Sequence, residues 1–139
     1  MFRLERPVRF AEVDAARIVF FARYLDYCHD AIEALFGALD GGYAELTMKR
    51  GLGVPSVHVE IDYHAPLRYG DVAVIDTAIE RLGNRSFTML HTLTRKADAV
   101  RCATVRQVVV LCRLDTIAGV DMPADVRALL AAHTAPSPG

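Results

Sequence analysis

The sequence predicts an α+β domain in which one long helix covers a face of an antiparallel sheet. Three observations carry this: an early amphipathic stretch with helical spacing, later segments with strand spacing, and turns between those strands too short for parallel crossovers. Residues 2 to 13 mix apolar and charged side chains around Pro7, as a first strand running into a loop at Asp14-Ala15-Ala16-Arg17. From Phe21 to Leu39 the residues Phe21, Leu25, Cys28, Ile32, Leu35, Phe36 and Leu39 recur at helical spacing, with Arg23, Asp26, Asp30 and Glu33 opposite them. That is a helix of about five turns, ending near Gly41-Gly42.

After a loop bearing Gly51, Gly53 and Pro55 the period drops to two. Val57, Val59, Ile61, Tyr63, Ala65 and Leu67 alternate with Ser56, His58, Glu60, Asp62 and His64, which predicts a strand with one buried and one polar face. Turns at Arg68-Tyr69-Gly70-Asp71 and Gly83-Asn84 bound a second strand at 72–81, and a third follows from Ser86 to Arg95. Val105 to Leu114 is apolar on both faces and belongs in the middle of the sheet. Pro123 then introduces Val126, Leu129 and Leu130 at helical spacing, a short closing helix.

A chain of 139 residues, 53% hydrophobic and 24% charged, makes one globular domain, here residues 1–133, followed by a tail at 134–139 expected to be flexible. The balance of 16 basic against 17 acidic residues leaves no broad basic field, so neither nucleic acid nor a membrane surface is an expected partner. Cys28, Cys102 and Cys112 form no CxxC pair and lie in apolar stretches, as reduced buried thiols do. Arg3, Glu5 and Arg6 precede any apolar run, so a signal or transmembrane segment is not expected at the start, and the expected location is cytoplasmic. His29, His58, His64, His91 and His133 lack metal-ligand spacing, and no P-loop, GxSxG or GxGxxG is present. No metal and no separate cofactor are expected.

Two segments carry chemistry. The first is Arg9-Phe10-Ala11-Glu12-Val13-Asp14-Ala15-Ala16-Arg17-Ile18-Val19-Phe20-Phe21-Ala22-Arg23-Tyr24; the second is Val59-Glu60-Ile61-Asp62-Tyr63-His64-Ala65-Pro66-Leu67-Arg68-Tyr69-Gly70-Asp71, followed by Arg85-Ser86-Phe87. Together they resemble the acyl-CoA thioesterases of the hotdog fold, in the 4-hydroxybenzoyl-CoA thioesterase branch, over nearly the whole chain. The resemblance implies a curved antiparallel sheet wrapped around one long central helix, dimerising edge to edge with active sites at the subunit interface. It also implies a homodimer, plausibly a homotetramer.

On this resemblance Asp14 is the catalytic carboxylate, as nucleophile or general base, and the Phe21 backbone N–H polarises the thioester carbonyl. Tyr24 and His29 become candidate substrate contacts, His29 falling where the 4-hydroxybenzoyl enzyme carries an aspartate. Arg85 and Ser86 become the candidate phosphate contacts for coenzyme A, which is part of the substrate. Three positions depart from the pattern: Arg17 replaces a glycine, Phe21 replaces a His or Tyr, and Gly83-Asn84-Arg85 replaces a basic triplet. The expected activity is hydrolysis of an aryl or short acyl-CoA thioester, with 4-hydroxybenzoyl-CoA disfavoured by His29. Val19, five residues after Asp14, breaks the Asp-x4-His pair of a hotdog hydratase. The rival reading is a non-catalytic hotdog protein that binds acyl-CoA or acyl-carrier protein.

Overall fold

The computed structural model describes residues 1–135. Strands β1 (Phe2–Pro7), β3 (Ser56–Tyr63), β4 (Val72–Leu82), β5 (Ser86–Arg95) and β6 (Arg101–Val110) form one sheet in the order β1-β4-β5-β6-β3, every neighbour antiparallel. Of the expected four-strand meander only β4-β5-β6 is continuous: β3 pairs with β6 and not with its successor β4, whose other side is taken by β1. A second, two-stranded sheet pairs β2 (Leu52–Gly53) with β7 (Cys112–Arg113). β6 starts four residues earlier than its apolar run suggests: Ala103 shares the buried face of Val105, and Cys102, at the bulge where the register against β5 shifts, is buried too.

Helix α1 (Arg23–Phe36) lays Tyr24, Tyr27, Cys28, Ala31, Ile32, Leu35 and Phe36 on the sheet. It is shorter than the Phe21–Leu39 stretch and rotated relative to the expected stripe: Phe21 and Leu25 are exposed. Tyr24 and Tyr27 take their place because each hydroxyl finds a partner, the Leu67 N–H and the Glu12 carboxylate. The helix ends at Gly37, and left-handed Gly41 and Gly42 then turn the chain into the helical turn α2 (Gly42–Ala44). Helix α3 (Ala124–Ala131) starts after Pro123 and buries Val126 and Leu130.

The core has two parts. Tyr24, Tyr27, Cys28, Ala31, Leu67, Ile75, Leu93 and Val105 pack near the start of α1, while Ile32, Leu35, Phe36, Ile79, Phe87, Met89, Val109 and Leu130 pack near its end. Between them His91 is fully buried, with Nδ1 2.8 Å from Thr77 Oγ1 and Nε2 3.2 Å from Gln107 Oε1. All three cysteines are free and buried, and burial pushes the Cys28 thiol up to about 12.

β3 departs most from expectation. Its apolar face is covered only in part: Ile61 packs against the core and Tyr63 meets Tyr24 of α1, while Val57 and Val59 stay exposed at the last strand of the sheet. Of the expected tail at 134–139, Thr134 bridges Ile79 and the Ala135 N–H donates to Ile79 O at 2.9 Å, while 136–139 lie outside the described residues. No helix among the described residues is long and apolar enough to cross a membrane.

Candidate active site

Asp14 sits at the tip of a miniature hairpin. Val13 and Val19 bridge antiparallel, the Asp14 N–H donates to Ile18 O at 3.0 Å, and the Arg17 N–H donates to Asp14 O at 2.9 Å. A three-residue connection of this kind turns its last residue into left-handed backbone, where glycine fits best, and Arg17 holds that position at φ 64°. An L side chain there costs about 1–2 kcal/mol. Asp14 Oδ1 accepts the Ala16 N–H at 2.8 Å; Oδ2 has no partner among the described residues and the side chain is open to solvent.

The hairpin is held from below by Glu12. Its buried carboxylate accepts Arg6 Nη1 at 2.8 Å and Nη2 at 2.6 Å, the Arg9 N–H at 2.8 Å and the Tyr27 hydroxyl at 2.9 Å. Burial alone would raise this carboxyl, but the Arg6 guanidinium and the two further donors hold it below the usual carboxylate range. The Arg6 guanidinium also lies 4.1 Å over the Tyr27 ring and pairs with Asp30. The Glu12 carbonyl takes the Phe20 N–H at 2.9 Å, and the Val19 N–H donates to Leu67 O at 2.8 Å. The loop is thus tied to β1, to α1 and to the segment after β3.

That lashing builds a largely apolar chamber of about 440 Å³ against the start of α1. Asp14 and Phe21 stand at it together, with Ile18, Val19 and Tyr24 on one side and Tyr63, His64, Ala65 and Pro66 on the other. Phe21 lies in the turn just before α1, and its N–H makes no hydrogen bond among the described residues. Its carbonyl, by contrast, accepts the Tyr63 hydroxyl at 2.7 Å, which fixes the orientation of the preceding turn. Burial raises the Tyr24 and Tyr63 hydroxyls above the usual tyrosine range, so both stay neutral donors. No side chain caps the N-terminus of α1, leaving its positive end available to a developing negative charge. A carboxylate with a free oxygen and a residue with an unpaired N–H on the wall of one largely apolar, solvent-open chamber offer a group to attack a carbonyl and a donor to polarise it.

Of the residues the sequence singled out, the chamber gathers Asp14, Phe21 and Tyr24. His29 stands elsewhere, exposed in a polar cleft with Arg9, Arg23, Asp26 and Asp30 and edge-on to Tyr43 at 6.3 Å. Five residues beyond Tyr24, it is turned about 140° around the helix from the chamber. Arg85 and Ser86 form the β4–β5 turn at the far end of the sheet, about 23 Å along β5 from Leu93. Arg85 is also engaged, its Nε 2.9 Å from Asp121 Oδ1.

Glu12, Tyr63 and His64 were not singled out as site residues, although the two motifs contain them. His64 approaches Thr104 Oγ1 at 3.2 Å from its place on the chamber wall. Among the described residues no group of three or more His, Cys, Asp or Glu side chains is arranged to hold a metal ion.

Residues 8–130 match the thioesterase-like superfamily. Over 112 residues the chain is 35% identical to a 1,4-dihydroxy-2-naphthoyl-CoA hydrolase of Synechococcus elongatus, covering 80% of each protein. A crystal structure of a 1,4-dihydroxy-2-naphthoyl-CoA thioesterase from Synechocystis superposes with TM-score 0.85 at 24% identity, over 97% of this chain and 98% of that one. A gentisyl-coenzyme A thioesterase superposes with TM-score 0.81 at 25% identity, over 92% of this chain and 98% of that one. The chain therefore belongs to the thioesterase-like superfamily and is a thioester hydrolase of the hotdog fold.

Proposed function

We propose that the protein hydrolyses acyl-CoA thioesters whose acyl group is a hydroxylated aromatic ring, with Asp14 as nucleophile or general base. The observation that carries this is the shared chamber, whose wall holds both Asp14, with one carboxylate oxygen free, and Phe21, with its N–H unpaired among the described residues. A thioester carbonyl resting on the Phe21 N–H would gain stabilisation as its oxygen becomes negative. Asp14 then either attacks the carbonyl carbon, giving an anhydride that water opens, or takes a proton from an attacking water. In both routes the thiolate leaves as the tetrahedral carbon collapses, taking its proton from solvent in the first and from the protonated Asp14 carboxyl in the second.

The aromatic preference rests on chamber and relatives together. Its walls include the Tyr24 and Tyr63 rings, set edge to face at 5.2 Å, and a flat acyl group fits between such walls. The naphthoyl and gentisyl thioesters named for the relatives are both dihydroxylated rings. His64 stands on the wall as a polar contact for a ring hydroxyl.

Thiol release from 1,4-dihydroxy-2-naphthoyl-CoA, gentisyl-CoA, benzoyl-CoA and a short acyl-CoA tests the reading. The hydroxylated rings are expected to give the highest kcat/KM, and Asp14→Asn to retain the fold while lowering kcat at least about a hundredfold. Near-normal turnover in Asp14→Asn removes that residue from the chemistry. Saturable binding of all four with no thiol release by the wild-type protein returns the chain to a binding role.

A further inference from the structure

Asp14 lines two cavities. Besides the apolar chamber it borders a cleft of about 600 Å³ that shares no other wall residue with it and whose walls include Phe10, Arg17, Arg68 and Tyr69. A thioester has two arms diverging from its carbonyl carbon, so a carboxylate poised at that carbon has the acyl group on one side and the thiol carrier on the other. The chamber suits the acyl arm. The cleft differs in chemistry in the way the other arm requires.

Building on the thioesterase reading, we propose that the phosphate-bearing arm of coenzyme A docks in this cleft, with its phosphates on Arg17 and Arg68 and its adenine against Phe10 and Tyr69. Both guanidinium groups are exposed and make no ion pair among the described residues. Most other arginines are paired, including Arg3, Arg6, Arg50, Arg95 and Arg106. Asp14 is the one carboxylate on the cleft wall, so two unneutralised cations face it. Guanidinium forks match phosphate oxygens two bonds at a time.

The local backbone agrees. Arg17 occupies a left-handed position at φ 64° that a glycine would take without strain, so its side chain is kept at the mouth against a conformational cost. Arg68 is fixed at the base of its side chain, since its N–H donates to Asp71 Oδ2 at 2.8 Å and the Asp71 N–H returns to Arg68 O at 3.0 Å. Phe10 and Tyr69 pack on each other edge to face at 5.6 Å and are otherwise bare, 74% and 63% exposed. Exposed rings next to two cations without ion-pair partners form a stacking and phosphate platform for a nucleotide. Arg85, by contrast, is held by Asp121 at the other end of the sheet.

The test compares one acyl group on three carriers, coenzyme A, phosphopantetheine and pantetheine, using the full chain and its Arg17→Gly, Arg17→Lys, Arg68→Ala and Arg85→Ala variants. KM for the acyl-CoA is expected to rise about tenfold in Arg17→Gly and in Arg68→Ala, with Arg17→Lys restoring most of the loss and acyl-pantetheine kinetics little changed. A loss seen with acyl-CoA alone assigns the cations to the nucleotide phosphates. A loss shared with acyl-phosphopantetheine assigns them to the phosphate nearest the arm, which a carrier protein also presents. Equal losses on all three carriers, no loss on any, or a CoA-selective loss in Arg85→Ala alone would overturn the proposal. Failure of the thioesterase reading looks different, as no thiol release from any carrier by the wild-type protein. Calorimetric binding of free coenzyme A against pantetheine then still tests the cleft by the same variants.

Discussion

Glu12 does more for the site than its distance from the chemistry suggests. It is 5% exposed, accepts three side-chain bonds and one backbone bond, and stands two residues from Asp14. Glu12→Gln removes the negative charge that Arg6 faces and converts an acceptor into a donor beside that cation. The expected cost is about 2–3 kcal/mol in urea unfolding, with kcat falling more than KM rises because the Asp14 hairpin loosens while the chamber persists. A variant with unchanged kcat would mean the hairpin holds itself without this anchor. Asp14 was singled out by the motif around it, and it stands on the wall of the apolar chamber. Glu12 stands in the same motif, but a pattern of letters carries no sign of which carboxylate points inward to an arginine and a tyrosine. Arg17 was legible as a departure from glycine, and its left-handed φ of 64° is the structural form of that departure.

At the scale of elements, β4 and β5 were readable from the turns that bound them and the closing helix from Pro123 and the helical spacing after it, and all three fall there. The rotated face of α1 was not. Counting only aliphatic and phenyl side chains selects Phe21 and Leu25, whereas the sheet buries Tyr24 and Tyr27 because their hydroxyls are satisfied within the fold. The same rule explains His91, buried between the two parts of the core on β5. Burial drives its pKa down to about 4, the Gln107 contact opposing this only partly. The folded state thus keeps His91 neutral where the unfolded chain protonates it near pH 6.5. Stability from this residue is fully present above that unfolded value and falls at up to about 1.4 kcal/mol per pH unit as pH drops toward the folded value near 4. Urea unfolding between pH 7 and pH 4.5 is expected to show that slope, and His91→Gln, which cannot be protonated, to flatten it. An unchanged slope in the variant would place the acid sensitivity elsewhere.

For the molecule as a whole, the open question of the fold is what covers β3. The sheet has two edges, and they are finished differently. β1 carries Arg3 and Glu5, ion-paired to Asp76 and Lys96, and ends in Pro7, so it presents charge and a missing donor to any approaching strand. β3 instead shows Val57 at 62%, Val59 at 38% and Tyr63 at 45% exposure on an unpaired edge. Alternation in the sequence identified which face of β3 is apolar, but not that this chain leaves part of it bare. A second copy pairing antiparallel along β3 would cover those residues and complete the hydrogen bonds of the edge. It would also set the Ser56 end of one strand against the Tyr63 end of the other. Tyr63 lines the apolar chamber, so the neighbour would stand against that wall with the end of its own sheet. The protein is therefore expected to sediment as a dimer or larger, with Val57→Lys combined with Val59→Lys giving a folded monomer of much reduced kcat/KM. The two changes sit outside the core of one chain, so circular dichroism should be unaltered while association is lost. A wild-type monomer that turns over substrate at full rate would show that the chamber works without that neighbour, and the apolar edge would then need a different partner.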